Sequence, residues 1–119
     1  MESENTIEKN RSCENIAVNY LKTRGYRILA RNKKINGIEI DILTRRKLNN
    51  TFIYSFIEVK KTKKKAFYSG YPPISFRQLQ RYRQAIVFSY ILNKKPFFTE
   101  ISLIVFDENK NLLSFISSL

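Results

Sequence analysis

Thr51-Phe52-Ile53-Tyr54-Ser55-Phe56-Ile57-Glu58-Val59-Lys60 is the stretch that decides the fold. It is rich in β-branched and aromatic residues and reads as a central strand. Side chains alternate along a strand, so Glu58 and Lys60 share one face while Ile57 and Val59 take the other. A carboxylate near the middle of a sheet is expensive to desolvate without a partner. Upstream, Ile38-Glu39-Ile40-Asp41-Ile42 repeats the situation, with Glu39 and Asp41 on one face and the isoleucines on the other. A divalent cation with oxygen ligands, flanked by a lysine, offsets that cost, and the same equipment hydrolyses phosphodiesters.

The flanking segments fill in the order of elements. From Arg11 to about Arg24, Cys13, Ile16, Ala17, Tyr20 and Leu21 recur at helical spacing and Gly25 stands at a C-cap, after a polar tail over residues 1–10. Tyr26 to Ile35 predicts a strand, Asn36-Gly37 a tight hairpin turn, and Ile38 to Thr44 the returning strand. Arg45 to Asn50 reads as a turn and Lys61 to Pro73 as a loop. Ser75 caps a second helix to about Leu92; Thr99 to Phe106 and Leu112 to Ile116 are the last strands. The order αβββαββ predicts one layered α/β domain over residues 11–119, a mixed sheet flanked by helices. If the second and third strands pair, Asp41 and Glu58 lie side by side, with Lys60 next to them.

Composition narrows the partners. Among 119 residues, 22 are Lys or Arg and 10 are acidic, a net charge of +12. That balance favours a polyanion, nucleic acid first, although a merely basic, well-solvated surface has the same composition. A lone Cys13 and the absence of histidine exclude internal disulfides, zinc clusters and histidine acid/base chemistry. No apolar run reaches bilayer length and the first ten residues lack a signal-peptide core, so the expectation is a cytoplasmic protein with no membrane partner.

Lys60, Lys61, Lys63, Lys64 and Lys65 crowd the end of the central strand, followed by Phe67, Tyr68 and Tyr71. Ammonium groups for phosphates and rings for unpaired bases make this a candidate nucleic-acid-binding segment, joined by Arg77, Arg81 and Arg83 of the second helix. A solvated loop is the plainer reading of such a run.

An aspartate on one strand and Glu-x-Lys on the next, set between two helices, resembles the PD-(D/E)XK nuclease superfamily. More narrowly, the chain resembles the YraN family of uncharacterised bacterial proteins through Glu14, Leu21, Gly25, Tyr26, Ile28, Arg31, Asn32, Glu39-Ile40-Asp41 and Phe56-Ile57-Glu58-Val59-Lys60. The resemblance implies a restriction-endonuclease-like three-layer core, with Asp41, Glu58 and the Val59 carbonyl on Mg²⁺ or Mn²⁺ and Lys60 serving the attacking water. It is similar in core to archaeal-type Holliday junction resolvases, whose first helix carries a glutamate near the metal. Glu14 then becomes a further ligand, and its plain alternative is a first-turn acid favoured by the helix dipole.

Gln78 and Tyr82 form a Gln-x-x-x-Tyr pair resembling the helix motif of RecB-like members, which with Glu39 would support the metal-binding residues. The chain departs from the family pattern at Ile40 where the superfamily proline stands, at Gly37 set back from the acid, and at Thr62, Gln78 and Ser102. The implied function is a metal-dependent endonuclease acting on DNA, branched or structured DNA in repair or recombination included, with a homodimer as the corollary of a resolvase. RNA stays open as a substrate. The alternative is a catalytically weak or inactive nucleic-acid-binding accessory module with the same core.

Overall fold

The computed structural model describes residues 4–70, 74–93 and 97–117. Its elements are α1 (Glu4–Thr23), β1 (Arg27–Ile35), β2 (Ile38–Leu48), β3 (Thr51–Lys61), α2 (Lys64–Tyr68), α3 (Phe76–Asn93), β4 (Phe98–Phe106) and β5 (Leu112–Ile116). The five strands form one sheet in the order β1-β2-β3-β4-β5. All neighbours are antiparallel except β3 and β4, which run parallel and are joined across the sheet by α3. This is the expected mixed α/β architecture.

Local chemistry explains the boundaries. At the end of α1, Gly25 adopts φ 87°. The Tyr26 N–H donates to the Leu21 carbonyl at 3.0 Å and the Gly25 N–H to that of Lys22 at 3.2 Å. This is a Schellman cap, whose left-handed residue glycine adopts without a Cβ clash. Asn36 and Gly37 both have positive φ, 51° and 76°, as a two-residue hairpin with type I′ geometry requires. Ser75 caps α3 as expected, its Oγ accepting the Gln78 N–H at 3.1 Å.

Three boundaries differ from the sequence reading. α1 begins at Glu4 and not Arg11, so the expected tail is helical from that residue onward. The expected turn over 45–50 shrinks to Asn49-Asn50, both at positive φ, because β2 continues to Leu48 opposite Thr51. Charged side chains on that extension are held by aromatic neighbours: the Arg45 guanidinium lies 4.2 Å from the centroid of Phe52. The lysine-rich loop contains the short helix α2, and Tyr71, Pro72 and Pro73 lie outside the described residues.

The sheet is covered on both faces. Under α1, Cys13, Ala17, Val18 and Leu21 pack against Ile42, Ile57, Ile104 and Phe106. Under α3, Tyr82, Ala85 and Ile86 pack against Ile38, Ile40, Phe56 and Ile101. Each fully buried large side chain contributes about 1.5–3 kcal/mol relative to exposure. Ile40 and Ile42 were expected on one face as a single apolar row. They serve different helices, so the row changes partner at Asp41.

Candidate active site

The β2–β3 ladder ends at the Ile42–Ile57 pair. One residue beyond it, the Asp41 carboxylate replaces the missing strand contact: Oδ2 accepts the Val59 N–H at 2.8 Å. Asp41 and Glu58 thereby come together near the C-terminal end of β3, the end of a parallel strand at which open α/β sheets bind ligands. Lys60 follows on the same face, with Nζ 3.5 Å from Glu58 Oε1; the Glu58 side chain is 7% exposed and that of Lys60 37%.

Tyr82 of α3 ties the two strands together. It is fully buried. Its hydroxyl accepts the Asp41 N–H at 3.3 Å and donates to Glu58 Oε2 in a short hydrogen bond. Burial, followed by the negative charges of Glu58 and Asp41, pushes the phenol above its ordinary range. Tyr82 therefore stays a neutral donor, which is what a buried carboxylate requires. Gln78, one turn before Tyr82 on α3, and Arg81, the immediate neighbour of Tyr82, line a cleft of about 220 Å³ with Ile38, Glu39, Asp41 and Glu58. Glu39 is exposed at its rim.

The electrostatics are those of two crowded acids. Burial, then the Glu58 carboxylate, raises Asp41 to about 7, against the opposing pull of the Val59 N–H. Near neutral pH Asp41 is thus divided between its two protonation states. An oxygen pair that repels itself in this way suits a hard divalent cation, which supplies the missing positive charge.

Glu14 is placed differently. It is buried on α1, with Oε2 3.6 Å from Arg31 Nη2 and accepting from Asn32 Nδ2 at 3.4 Å. It adds to the field that lifts Asp41. Among the described residues, however, no group of three or more Asp, Glu, His or Cys side chains is gathered to hold a metal ion. The carboxylates brought together are Asp41 and Glu58, and Glu14 stands outside that pair.

The basic segment lies beyond the cleft. Lys63, Lys64 and Lys65 are exposed, Lys61 is half-buried, and Tyr68 is exposed with its ring 5.4 Å from that of Phe67. Arg77 and Arg81 are exposed on α3. No helix among the described residues is long and apolar enough to cross a membrane. Sequence reasoning missed Glu100. This residue accepts two hydrogen bonds from Arg46, at 2.9 and 3.1 Å, and a third from Ser55. The Phe98–Phe106 strand reads as apolar apart from Thr99, Glu100 and Ser102, and its one charged residue, Glu100, was the available signal. Ser102 is buried, with its Oγ 3.3 Å from that of Ser117.

Comparison with known proteins identifies relatives of this chain. A UPF0102 protein of Campylobacter hominis is 35% identical over 106 residues, covering 89% of this chain and 88% of its own. A UPF0102 protein of Dictyoglomus turgidum is 34% identical over 88 residues, 74% of this chain and 70% of its own. The family described as uncharacterised protein family UPF0102 matches residues 13–109, a span that holds Glu14, Asp41, Glu58, Lys60 and Tyr82. The chain belongs to that family.

Proposed function

We propose that this protein is a nuclease of the PD-(D/E)XK type, a metal-dependent endonuclease that hydrolyses phosphodiester bonds of DNA. The observation that carries the reading is the pairing of Asp41 and Glu58 across adjacent strands, with Lys60 Nζ 3.5 Å from Glu58. Asp41 and Glu58, with the Val59 carbonyl, would hold Mg²⁺ or Mn²⁺. When bound, such an ion lowers the pKa of a water and neutralises charge on phosphate oxygens. Lys60, a compact charge with a movable pKa, positions the attacking water or accepts its proton. Tyr82 fixes the Glu58 carboxylate and the Asp41 backbone, while Gln78 and Arg81 face the strand entering the cleft. Lys61, Lys63, Lys64, Lys65 and Arg77 would hold phosphates and Tyr68 an unpaired base, which gives affinity without sequence readout. Structured DNA in repair or recombination, and a homodimer presenting two such clefts, extend the reading by analogy to resolvases.

One observation favours the rival, a nucleic-acid-binding module that does not cleave. Both carboxylates already have protein donors, Asp41 from Val59 and Glu58 from Tyr82. The two readings separate on one assay. Purified protein is incubated with linear, flapped and four-way DNA, and with RNA, in Mg²⁺ or Mn²⁺, beside Asp41→Asn and Lys60→Ala. Cleavage by the parent that both substitutions abolish supports the nuclease. Binding by all three without cleavage rejects it in favour of the module.

A further inference from the structure

Across the sheet from the cleft lies a second, larger cavity. It has a volume of about 640 Å³ and is lined by Tyr20, Arg24, Gly25, Tyr26, Arg46, Lys47, Phe115 and Ser117. That is the size of pocket which takes a small organic ligand. Its lining comes from the end of α1 and the strands beneath it, whereas the cleft is built against α3. Arg46 lies five positions along β2 from Asp41, roughly 16 Å at about 3.3 Å per residue.

The lining combines two chemistries. The Phe115 ring sits 5.8 Å from that of Tyr20 and 5.9 Å from that of Tyr26, making an aromatic wall. The Arg24 guanidinium lies 4.8 Å from the Tyr20 centroid and that of Arg46 5.8 Å from the Tyr26 centroid. Arg46 is held rigid because Nε and Nη2 bind both oxygens of Glu100, leaving Nη1 uncommitted to that carboxylate. Two cations, Arg24 and Arg46, face one acid, Glu100, so the cavity keeps a positive excess, while Lys47 lines it with its backbone and turns its ammonium to Phe52 on the other face.

We propose that this cavity binds a nucleotide, the base against the aromatic and guanidinium planes and the phosphate on Arg24 and the free edge of Arg46. Aromatic and arginine faces accept any base, and fixed cations suit a phosphate. The ligand is one nucleotide unit, taken either from an unpaired strand or free in solution. The proposal shares the nucleic-acid half of the functional reading and is independent of cleavage at Asp41 and Glu58.

The test is made without metal, on the full chain carrying Asp41→Asn, so that failure of the nuclease reading leaves it intact. ¹⁵N chemical shifts and affinity are followed with dAMP, with a single-stranded dA hexamer and with inorganic phosphate. The expected result is perturbation of the Gly25, Tyr26, Lys47 and Ser117 amides, with affinity for dAMP above that for phosphate. The double substitution Arg24→Gln/Arg46→Lys, which keeps a cation beside Glu100, should weaken binding about tenfold or more, and Lys33→Gln/Lys34→Gln should leave it unchanged. A hexamer that binds more tightly than dAMP identifies a strand as the source; equal affinity identifies the free nucleotide. Shifts confined to the cleft around Glu39, Glu58 and Gln78, phosphate binding as well as dAMP, or no effect of the double substitution would overturn the proposal.

Discussion

The Asp41 carboxylate accepts the Val59 N–H at 2.8 Å, immediately past the Ile42–Ile57 rung where the β2–β3 ladder stops. A side chain thus does the work of a strand there, and it does so beside a second buried acid. The arrangement stores a repulsion that protonation of Asp41 relieves.

The first prediction concerns pH. Asp41 is raised from 3.8 to about 7 by burial and by Glu58, so the folded protein keeps a proton that the unfolded chain loses. Its contribution to stability is therefore full below about pH 4 and declines as pH rises towards 7. At 1.36 kcal/mol per pKa unit the loss is on the order of 2–4 kcal/mol, an upper bound for a site this close to solvent. Melting temperature of metal-free protein, compared with Asp41→Asn between pH 4 and 8, checks this: the parent should lose more than the variant. Mg²⁺ should raise the parent's melting temperature more at pH 8 than at pH 5, because at pH 5 it must displace a proton. Parallel pH profiles for the two proteins would contradict the coupling.

Tyr82→Phe removes one oxygen and keeps the ring in the core. The Asp41 N–H and Glu58 Oε2 each lose a partner inside the protein. Leaving such groups unsatisfied costs roughly 1–3 kcal/mol. The midpoint of denaturant unfolding should fall accordingly with an unchanged m-value. Metal affinity, measured by calorimetry, should weaken too, since Glu58 loses its positioning donor. A variant as stable as the parent would mean that water replaces the hydroxyl at no cost.

Arg46 and Glu100 form the shortest ion pair among the described residues, 2.9 Å, with side chains 25% and 7% exposed. Burial alone would raise the Glu100 pKa, but the hydrogen bonds from Arg46 and Ser55 and the charge of Arg46 together hold it below the usual range. That stabilisation is present above the ordinary glutamate pKa and is lost as pH falls through the lowered value. Arg46→Leu should cost roughly 2–3 kcal/mol by leaving the carboxylate without its main partner. Arg46→Leu with Glu100→Leu should cost less than the sum of the single changes, a coupling that a double-mutant cycle measures. Additive single changes would mean that the two side chains act independently.

How much of this was legible in the sequence depends on the range of the cause. The Gly25 cap, the Asn36-Gly37 turn and the Ser75 cap depend on residues a few positions apart, and all three are where the sequence put them. Asp41 and Glu58 were legible as neighbours because two hairpins in a row leave little choice of pairing. The extension of β2 to Leu48 was not, because Arg45 and Lys47 look like turn residues until Phe52 is known to lie beneath them. Glu100 was hidden for the same reason: it finds Arg46 across a separation of 54 residues, through a parallel crossover that no local pattern encodes. Glu14, which the resemblance puts on the metal, is engaged in this structure by Arg31 and Asn32, across separations of 17 and 18 residues that no local pattern encodes.

The last prediction concerns the basic surface. Lys63, Lys64 and Lys65 are exposed beside the end of β3, and the chain carries a net charge of +12. If these lysines contact phosphates, each releases a condensed counterion, and the logarithm of the binding constant falls linearly with the logarithm of salt concentration by about 0.7–0.9 per contact. Affinity of the metal-free protein for single-stranded and duplex DNA should therefore drop steeply between 50 and 200 mM salt, roughly 10³-fold for six contacts, and depend little on sequence. Replacing the three lysines by glutamine should reduce the slope by about 2–3 and leave the melting temperature unchanged, because none of the three is buried. A fluorescence-anisotropy titration at four salt concentrations measures both quantities. A slope that survives the triple substitution would move the interface away from α2 and onto another cationic face of the sheet.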